Sequence, residues 1–360
     1  MVNTVTLNES ALQPYVNDFL KMDAKRTMKN GLVFMITHGV SLSRFKKLMA
    51  KLMAANDRFY QQKTMDFEKI DAVLADKDKA MLVKFFRYVK NKNNMGDVKK
   101  FKIPAGVKID RVDADGVPAE WQIVPGASED KVLLYYHGGG FFLSSPATHR
   151  ALTIDIALQA KIKVLSVDYR LFPECTPEEM KEDGMRAYKW LLAQGIKPEN
   201  IIIGGDSAGG GITLRTLLTL RDDGIQLPAG AVCISAIACS DLTDEPVMEN
   251  LPTDAIFGTS GALILFGNMS PFFSDQDTPL NASLTGLPPL LFQATTCEML
   301  FDHSRRMVEK AKEDGVEAEL QSWDGLIHDF QLLGINYFPE AKKAIANIAT
   351  FINNNVGKAQ

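Results

Sequence analysis

The stretch that most constrains this chain is residues 201–211, Ile-Ile-Ile-Gly-Gly-Asp-Ser-Ala-Gly-Gly-Gly. Three β-branched residues bounded by glycines predict a short buried strand, and residues 211–220 have the length and apolar face of a helix. Between them lies Gly205-x-Ser207-x-Gly209. At a strand-to-helix turn this spacing is a nucleophile elbow, which holds a serine hydroxyl on a strained, exposed bend. Glycines flank it because a Cβ there would strike the neighbouring strand or helix. The pattern alone turns up by chance in roughly one chain in ten of this length. Its weight comes from the strand before it and the helix after it. A phosphate loop is disfavoured, since no G-x-G-x-x-G with a downstream acid and no Gly-Lys-Ser/Thr is present.

Around the elbow, strands and helices alternate. Strands are predicted at 132–136, 163–167, 201–206, 231–237, 289–294 and 316–323, and helices at 148–159, 177–193, 304–313 and 339–353. Before them, residues 107–113 and 119–124 alternate around Asp115-Gly116, which predicts a β-hairpin. The reading is an α/β fold: an eight-stranded, mostly parallel sheet covered by helices on both faces, with the elbow after the fifth strand. Residues 241–287 are too long for a plain connection and carry an apolar run at 262–266, so an inserted element is expected.

Residues 1–105 have a different texture, rich in Lys, Met, Asn and Phe. Apolar residues at helical spacing (Phe45, Leu48, Met49, Leu52, Met53; Met81, Leu82, Phe85, Phe86, Val89) predict three or four amphipathic helices and no strand. The basic run at 90–102 reads as a solvated loop, with membrane-surface contact as the alternative. The net charge of −4 provides no electrostatic footprint for nucleic acid. Cys175, Cys233, Cys239 and Cys297 lack C-x-x-C spacing and read as buried thiols in a reducing compartment. The first residues have neither a basic start nor an apolar core, so a cytoplasmic protein without stable membrane insertion is expected.

A serine nucleophile needs a histidine base oriented by a carboxylate, and behind an elbow the chain order is serine, acid, histidine. Of five histidines, only His303 and His328 lie downstream of Ser207. His328 follows the last strand and is the expected base, whereas His303 opens a helix and reads as a surface residue. Two carboxylates follow the seventh strand: Glu298, in the loop past it, and Asp302, a turn further on, where it can serve the helix start. Glu298 is the favoured acid and Asp302 the alternative. For the oxyanion, the glycines of His137-Gly138-Gly139-Gly140 after the third strand expose amides. Gly139, Gly140 and the amide of Ala208 are the expected donors, with His137 holding the loop. No cofactor and no metal is called for.

His137-Gly-Gly-Gly-Phe-Phe142, Asp168-Tyr-Arg-Leu-Phe-Pro-Glu174 and Gly205-Asp-Ser-Ala-Gly-Gly210 together resemble the hormone-sensitive-lipase-like branch of the α/β-hydrolases. Asp241-Leu-Thr243, Gly286-Leu-Pro-Pro-Leu290 and Trp323-x-Gly325-x-x-His328 extend the resemblance over about 106–355. It implies an α/β-hydrolase domain at 106–360, capped by helices from residues 1–105 and from an insertion at about 244–285. It also implies cofactor-free hydrolysis of short- to medium-chain carboxylic esters, a small-molecule substrate and homodimerisation. Three other readings on this fold are a lipase working at a lipid surface, a catalytically silent small-molecule receptor, and an amidase or peptidase on the same triad, the last disfavoured by the lack of a propeller-like repeat or extra β-domain. The chain departs from the family at Glu298, where many members carry aspartate, and in the length of its N-terminal segment.

Overall fold

The structure is a computed structural model that describes residues 9–50, 76–239, 247, 249–257, 278–333 and 338–358. Eight strands form one sheet: β1 (Lys108–Asp113), β2 (Pro118–Ile123), β3 (Val132–Tyr136), β4 (Lys163–Val167), β5 (Ile201–Asp206), β6 (Gly230–Ile234), β7 (Leu290–Thr295) and β8 (Ala318–Trp323). Their order is β1-β2-β4-β3-β5-β6-β7-β8. β1 and β2 form the expected antiparallel hairpin, turned through Asp115 and Gly116, both at positive φ (60° and 82°). From β4 to β8 every pairing is parallel. The carboxyl ends of β3, β5, β7 and β8 therefore share one edge, where the loops bearing the candidate residues emerge.

The long helices are α1 (Pro14–Thr37), α2 (Asp76–Lys100), α3 (Pro146–Ala160), α4 (Pro177–Ala193), α5 (Ala208–Asp222), α6 (Phe301–Glu313) and α7 (Glu340–Asn355). α4 starts at a capping box in which Thr176 and Glu179 satisfy each other's backbone amides, with Pro177 in the first turn. The inner strands are buried on both faces and feed two cores by their two-residue period. Ile201 and Ile203 point into the core shared with α4, α5 and α6, while Ile202 joins α3 and α7 on the other face.

Two sequence expectations are corrected. β6 ends at Ile234 rather than at 237, because Ser235 turns to φ 45° and Ile237 donates its amide to the Ser207 carbonyl at 3.1 Å. Those residues support the elbow instead of extending the sheet. The basic stretch read as a loop is helical as far as Lys100. The run at 262–266, the Asp241-Leu-Thr243 motif, Leu52 and Met53 lie outside the described residues.

Candidate active site

Ser207 stands between β5 and α5 with φ 50° and ψ −114°, a conformation that L-residues rarely hold without support. The support is local. Its amide donates to the Ile234 carbonyl at 2.8 Å, and its carbonyl accepts from Gly211 at 3.1 Å. A Cβ at Gly209 would overlap the Tyr136 carbonyl, and one at Gly205 would overlap the backbone of Gly209. The spacing of the motif is thus a packing requirement between β3, β5 and α5.

Thirty residues apart in sequence, Glu298 and His328 meet at 2.6 Å between Oε2 and Nδ1. The loop after β7 carries the glutamate and the loop after β8 the histidine. Thr295, the last residue of β7, ties the two together by donating its hydroxyl to the Leu326 carbonyl at 3.0 Å. Its amide donates to Glu298 Oε1 at 3.3 Å. Glu298 is 1% exposed and His328 8% exposed. The Phe257 ring stands edge-on to the imidazole at 4.9 Å. Asp254, pushed up to about 6 by burial, shapes that approach by accepting the amides of Ile256, Phe257 and Met299.

Asp302 lies elsewhere. It sits in the first turn of α6 and accepts from Arg305 Nε at 3.1 Å, with Arg306 at 3.6 Å. His303, expected at the surface, is fully buried, and its Nδ1 accepts the Ala238 amide at 3.4 Å. The amphipathic phase of α6 turns this position toward the sheet, which overrides the polarity of the side chain.

The glycine loop leaves β3 with Gly139 at φ 121° and Gly140 at φ 61°. Gly138 has no room for a side chain, because a Cβ would run into the Asp206 carboxylate. Ala208, the first residue of α5, is completely buried beside the elbow. His137 stacks on Tyr169 at 4.3 Å and its Nδ1 meets the Gly138 carbonyl at 2.8 Å. Burial, reinforced by the neighbouring His149, pushes its pKa down to about 3, so this imidazole is neutral.

Several residues of the site escaped sequence reading. Asp329 follows His328 at φ 55° and places Oδ2 3.0 Å from Nε2, so the imidazole is held between two carboxylates. Burial opposes charge on His328, but Asp329 and Glu298 outweigh it and hold its pKa well above the ordinary value. Asp206, the variable residue of the elbow motif, accepts from the Tyr135 hydroxyl at 2.6 Å and meets His149 Nε2 at 3.1 Å. Burial resists this charge, but His149 and Tyr135 keep Asp206 ionised. Arg87, from α2, donates to the Phe142 carbonyl at 2.7 Å and grips both oxygens of Glu174 at 2.7 Å. One guanidinium thereby ties the N-terminal helices to the glycine loop. Only the adjacency of Asp329 to His328 was a usable signal, because the other partners are 55 to 87 residues apart.

A doubly covered parallel sheet, a serine at a strand-to-helix elbow and a carboxylate-bound histidine on the next loops define an α/β-hydrolase. A family model described as alpha/beta hydrolase fold matches residues 133–332. An esterase of Acinetobacter venetianus is 36% identical over 252 residues, covering 68% of this chain and 82% of that protein. An acetyl-hydrolase of Streptomyces hygroscopicus is 34% identical over 263 residues, covering 71% and 85%. A crystal structure of an esterase from the bacterial hormone-sensitive lipase family superposes with a TM-score of 0.70 at 38% identity, covering 76% of this chain and 92% of that one. The chain belongs to the alpha/beta-hydrolase fold family, in its hormone-sensitive-lipase-like esterase branch. It is a carboxylic ester hydrolase.

Proposed function

We propose that this chain is a serine carboxylesterase acting on small esters with short to medium acyl chains through an acyl-enzyme. The observation that carries the reading is the 2.6 Å Glu298–His328 hydrogen bond, on the same sheet edge as the strained elbow serine. In this reading Asp329 gives up its contact with His328 Nε2 to the serine hydroxyl, and Ser207 attacks the ester carbonyl while Nε2 takes its proton. Glu298 fixes the tautomer by accepting from Nδ1–H and stabilises the imidazolium. The amides of Gly139, Gly140 and Ala208 receive the oxyanion. His328 then protonates the departing alcohol, and water activated by the same base releases the acid. Phe141 and Phe142, buried beside the loop, suit the wall of an acyl or alcohol pocket. A cytoplasmic location and a homodimer are part of the same proposal; the four cysteines, which form no disulfide, support the first.

The test is hydrolysis of p-nitrophenyl esters from acetate to palmitate. A kcat/KM that peaks at short or medium chains supports the proposal. A maximum at palmitate only with emulsified substrate would replace it with a lipase acting at an interface. Absence of turnover at every length, with the protein folded, would leave the silent receptor.

Asp329 gives the pH profile a predicted sign. His328 must be neutral to accept the serine proton, and the two carboxylates raise its pKa. The acidic limb of kcat/KM is therefore expected above the range of an ordinary histidine, with activity falling as pH drops through it. Burial pushes the Asp329 carboxyl itself up to about 7, so its charge acts on His328 mainly above that range. Asp329→Asn removes that contribution, so the limb moves to lower pH and the ratio of rates at pH 6 to pH 8 rises. A limb that stays in place in this variant would show that Asp329 does not act on the base.

A further inference from the structure

Charge is distributed very unevenly along this chain. Residues 1–105 hold 20 of the 40 Lys and Arg but only 10 of the 44 Asp and Glu, a net of +10, which leaves −14 for the rest. Within residues 24–50 there are six basic side chains (Lys25, Arg26, Lys29, Arg44, Lys46 and Lys47) and no acidic one. The same segment carries the most exposed large apolar side chains among the described residues. Met28 is 74% exposed, Ile36 72%, Leu32 54% and Leu42 54%.

The two features coincide on one face of α1. Met28, Leu32 and Ile36 recur every four residues, and the exposed Lys21, Lys25 and Lys29 fall beside them at the 3.6-residue period, with the exposed Asp18 on the same face near the start of the helix. The opposite face is the packed one. There Phe34 meets Phe85 of α2 edge-on at 5.4 Å, and Gly31 lets the helices approach. Across the turn, Leu42 and Lys46 repeat the pairing of an exposed apolar residue with a lysine, and Arg44 reaches Asp78 at 3.0 Å. No helix among the described residues is long and apolar enough to cross a membrane, so this surface is suited to lying on a bilayer rather than spanning one.

We infer that the N-terminal helices form a docking surface for an anionic lipid bilayer, with Met28, Leu32, Ile36 and Leu42 entering the interface and the lysines meeting lipid phosphates. Long lysine stems snorkel alongside apolar neighbours, and each basic residue close to an anionic leaflet adds to binding. The catalytic domain, at −14, is repelled by the same leaflet, so the charge asymmetry orients the molecule with α1 toward the lipid. A second copy of the chain fits less well, because a two-fold interface would set this basic patch against itself. Nucleic acid fits less well too. The exposed apolar residues are Met, Leu, Ile and Val, and none of them offers the aromatic face on which bases stack.

The experiment is co-sedimentation of the full chain with vesicles of phosphatidylcholine alone, or with about one quarter phosphatidylglycerol, at low and at roughly 0.5 M salt. Binding is expected to be at least about tenfold stronger on the anionic vesicles and to be lost at high salt. Met28→Ser/Ile36→Ser and Lys25→Glu/Lys29→Glu are each expected to weaken it about tenfold or more. Hydrolysis of a water-soluble ester by these variants should match that of the parent protein, which shows that they fold. Ser207→Ala should bind vesicles like the parent, so failure of the docking surface and failure of the esterase reading are separable. Equal binding to both vesicles, no binding, or full binding by both variants would overturn the inference. So would lipid-independent dimerisation abolished by the same substitutions, or retention on single-stranded RNA without vesicle binding.

Discussion

Ser207→Ala is expected to lower kcat/KM on p-nitrophenyl butyrate by about 10⁴- to 10⁶-fold while leaving the protein folded. The size follows from the chemistry: without an Oγ there is no acyl-enzyme, and only the oxyanion donors and binding remain to assist water. The fold should survive because the strain at this position resides in the backbone. Alanine fits the same φ of 50°, and the bonds from its amide to Ile234 and from its carbonyl to Gly211 and Ile237 do not involve the side chain. Two readouts separate chemistry from misfolding. The thermal midpoint should stay within a few degrees, and covalent labelling by a phosphonate ester, seen in the parent by mass, should vanish. A variant that keeps more than about a tenth of the activity would remove Ser207 from the mechanism.

Glu298→Gln and Asp302→Asn are expected to part by at least two orders of magnitude. Glutamine retains the volume of Glu298 but loses the charge that stabilises an imidazolium. It also presents an amide that can donate to Nδ1 and stabilise the unproductive tautomer. A drop in kcat of about 10³- to 10⁴-fold is expected, with KM little changed. Asp302 is engaged by Arg305 and Arg306, whereas His328 is held by Glu298 and Asp329. Asp302→Asn weakens the bonds to Arg305 and Arg306, of which Arg305 is 42% exposed, so about 1 kcal/mol of stability is at stake and activity should stay within about threefold. The decisive measurement is kcat for both variants on one soluble ester, with melting curves as a control. If Asp302→Asn were the silent enzyme and Glu298→Gln the active one, the carboxylate role would belong to Asp302, and the loop after β7 would have to rearrange to bring it to His328.

Much of the architecture was readable without a structure because its signals are local. A two-residue period marks a strand, a 3.6-residue period a helix, and Gly205-x-Ser207-x-Gly209 records the close approach of three backbones. Eight strands, their alternation with helices and the elbow after β5 all follow from such patterns. Where the local reading failed, a distant partner had intervened. Residues 235–237 look like more of β6, yet they bend to support Ser207. His303 looks like a surface side chain, yet α6 turns it into the core.

Sequence alone thus determined the class of fold, the elbow serine, a glycine loop placed to offer amides, and a short choice of histidine and acid. It favoured Glu298 over Asp302 by place in the loop past the seventh strand, but the two are only four positions apart and the position of His328, which distinguishes them by distance, is not in the chain order. Tertiary structure brought Glu298 to 2.6 Å from that histidine and turned Asp302 toward Arg305. It also set Asp329 on the other imidazole nitrogen and Arg87 on the glycine loop. The physical reason is that hydrogen-bond partners drawn from separate loops and helices leave no periodic trace in the chain. Their meeting depends on where parallel strands end and on which face of a helix the core demands.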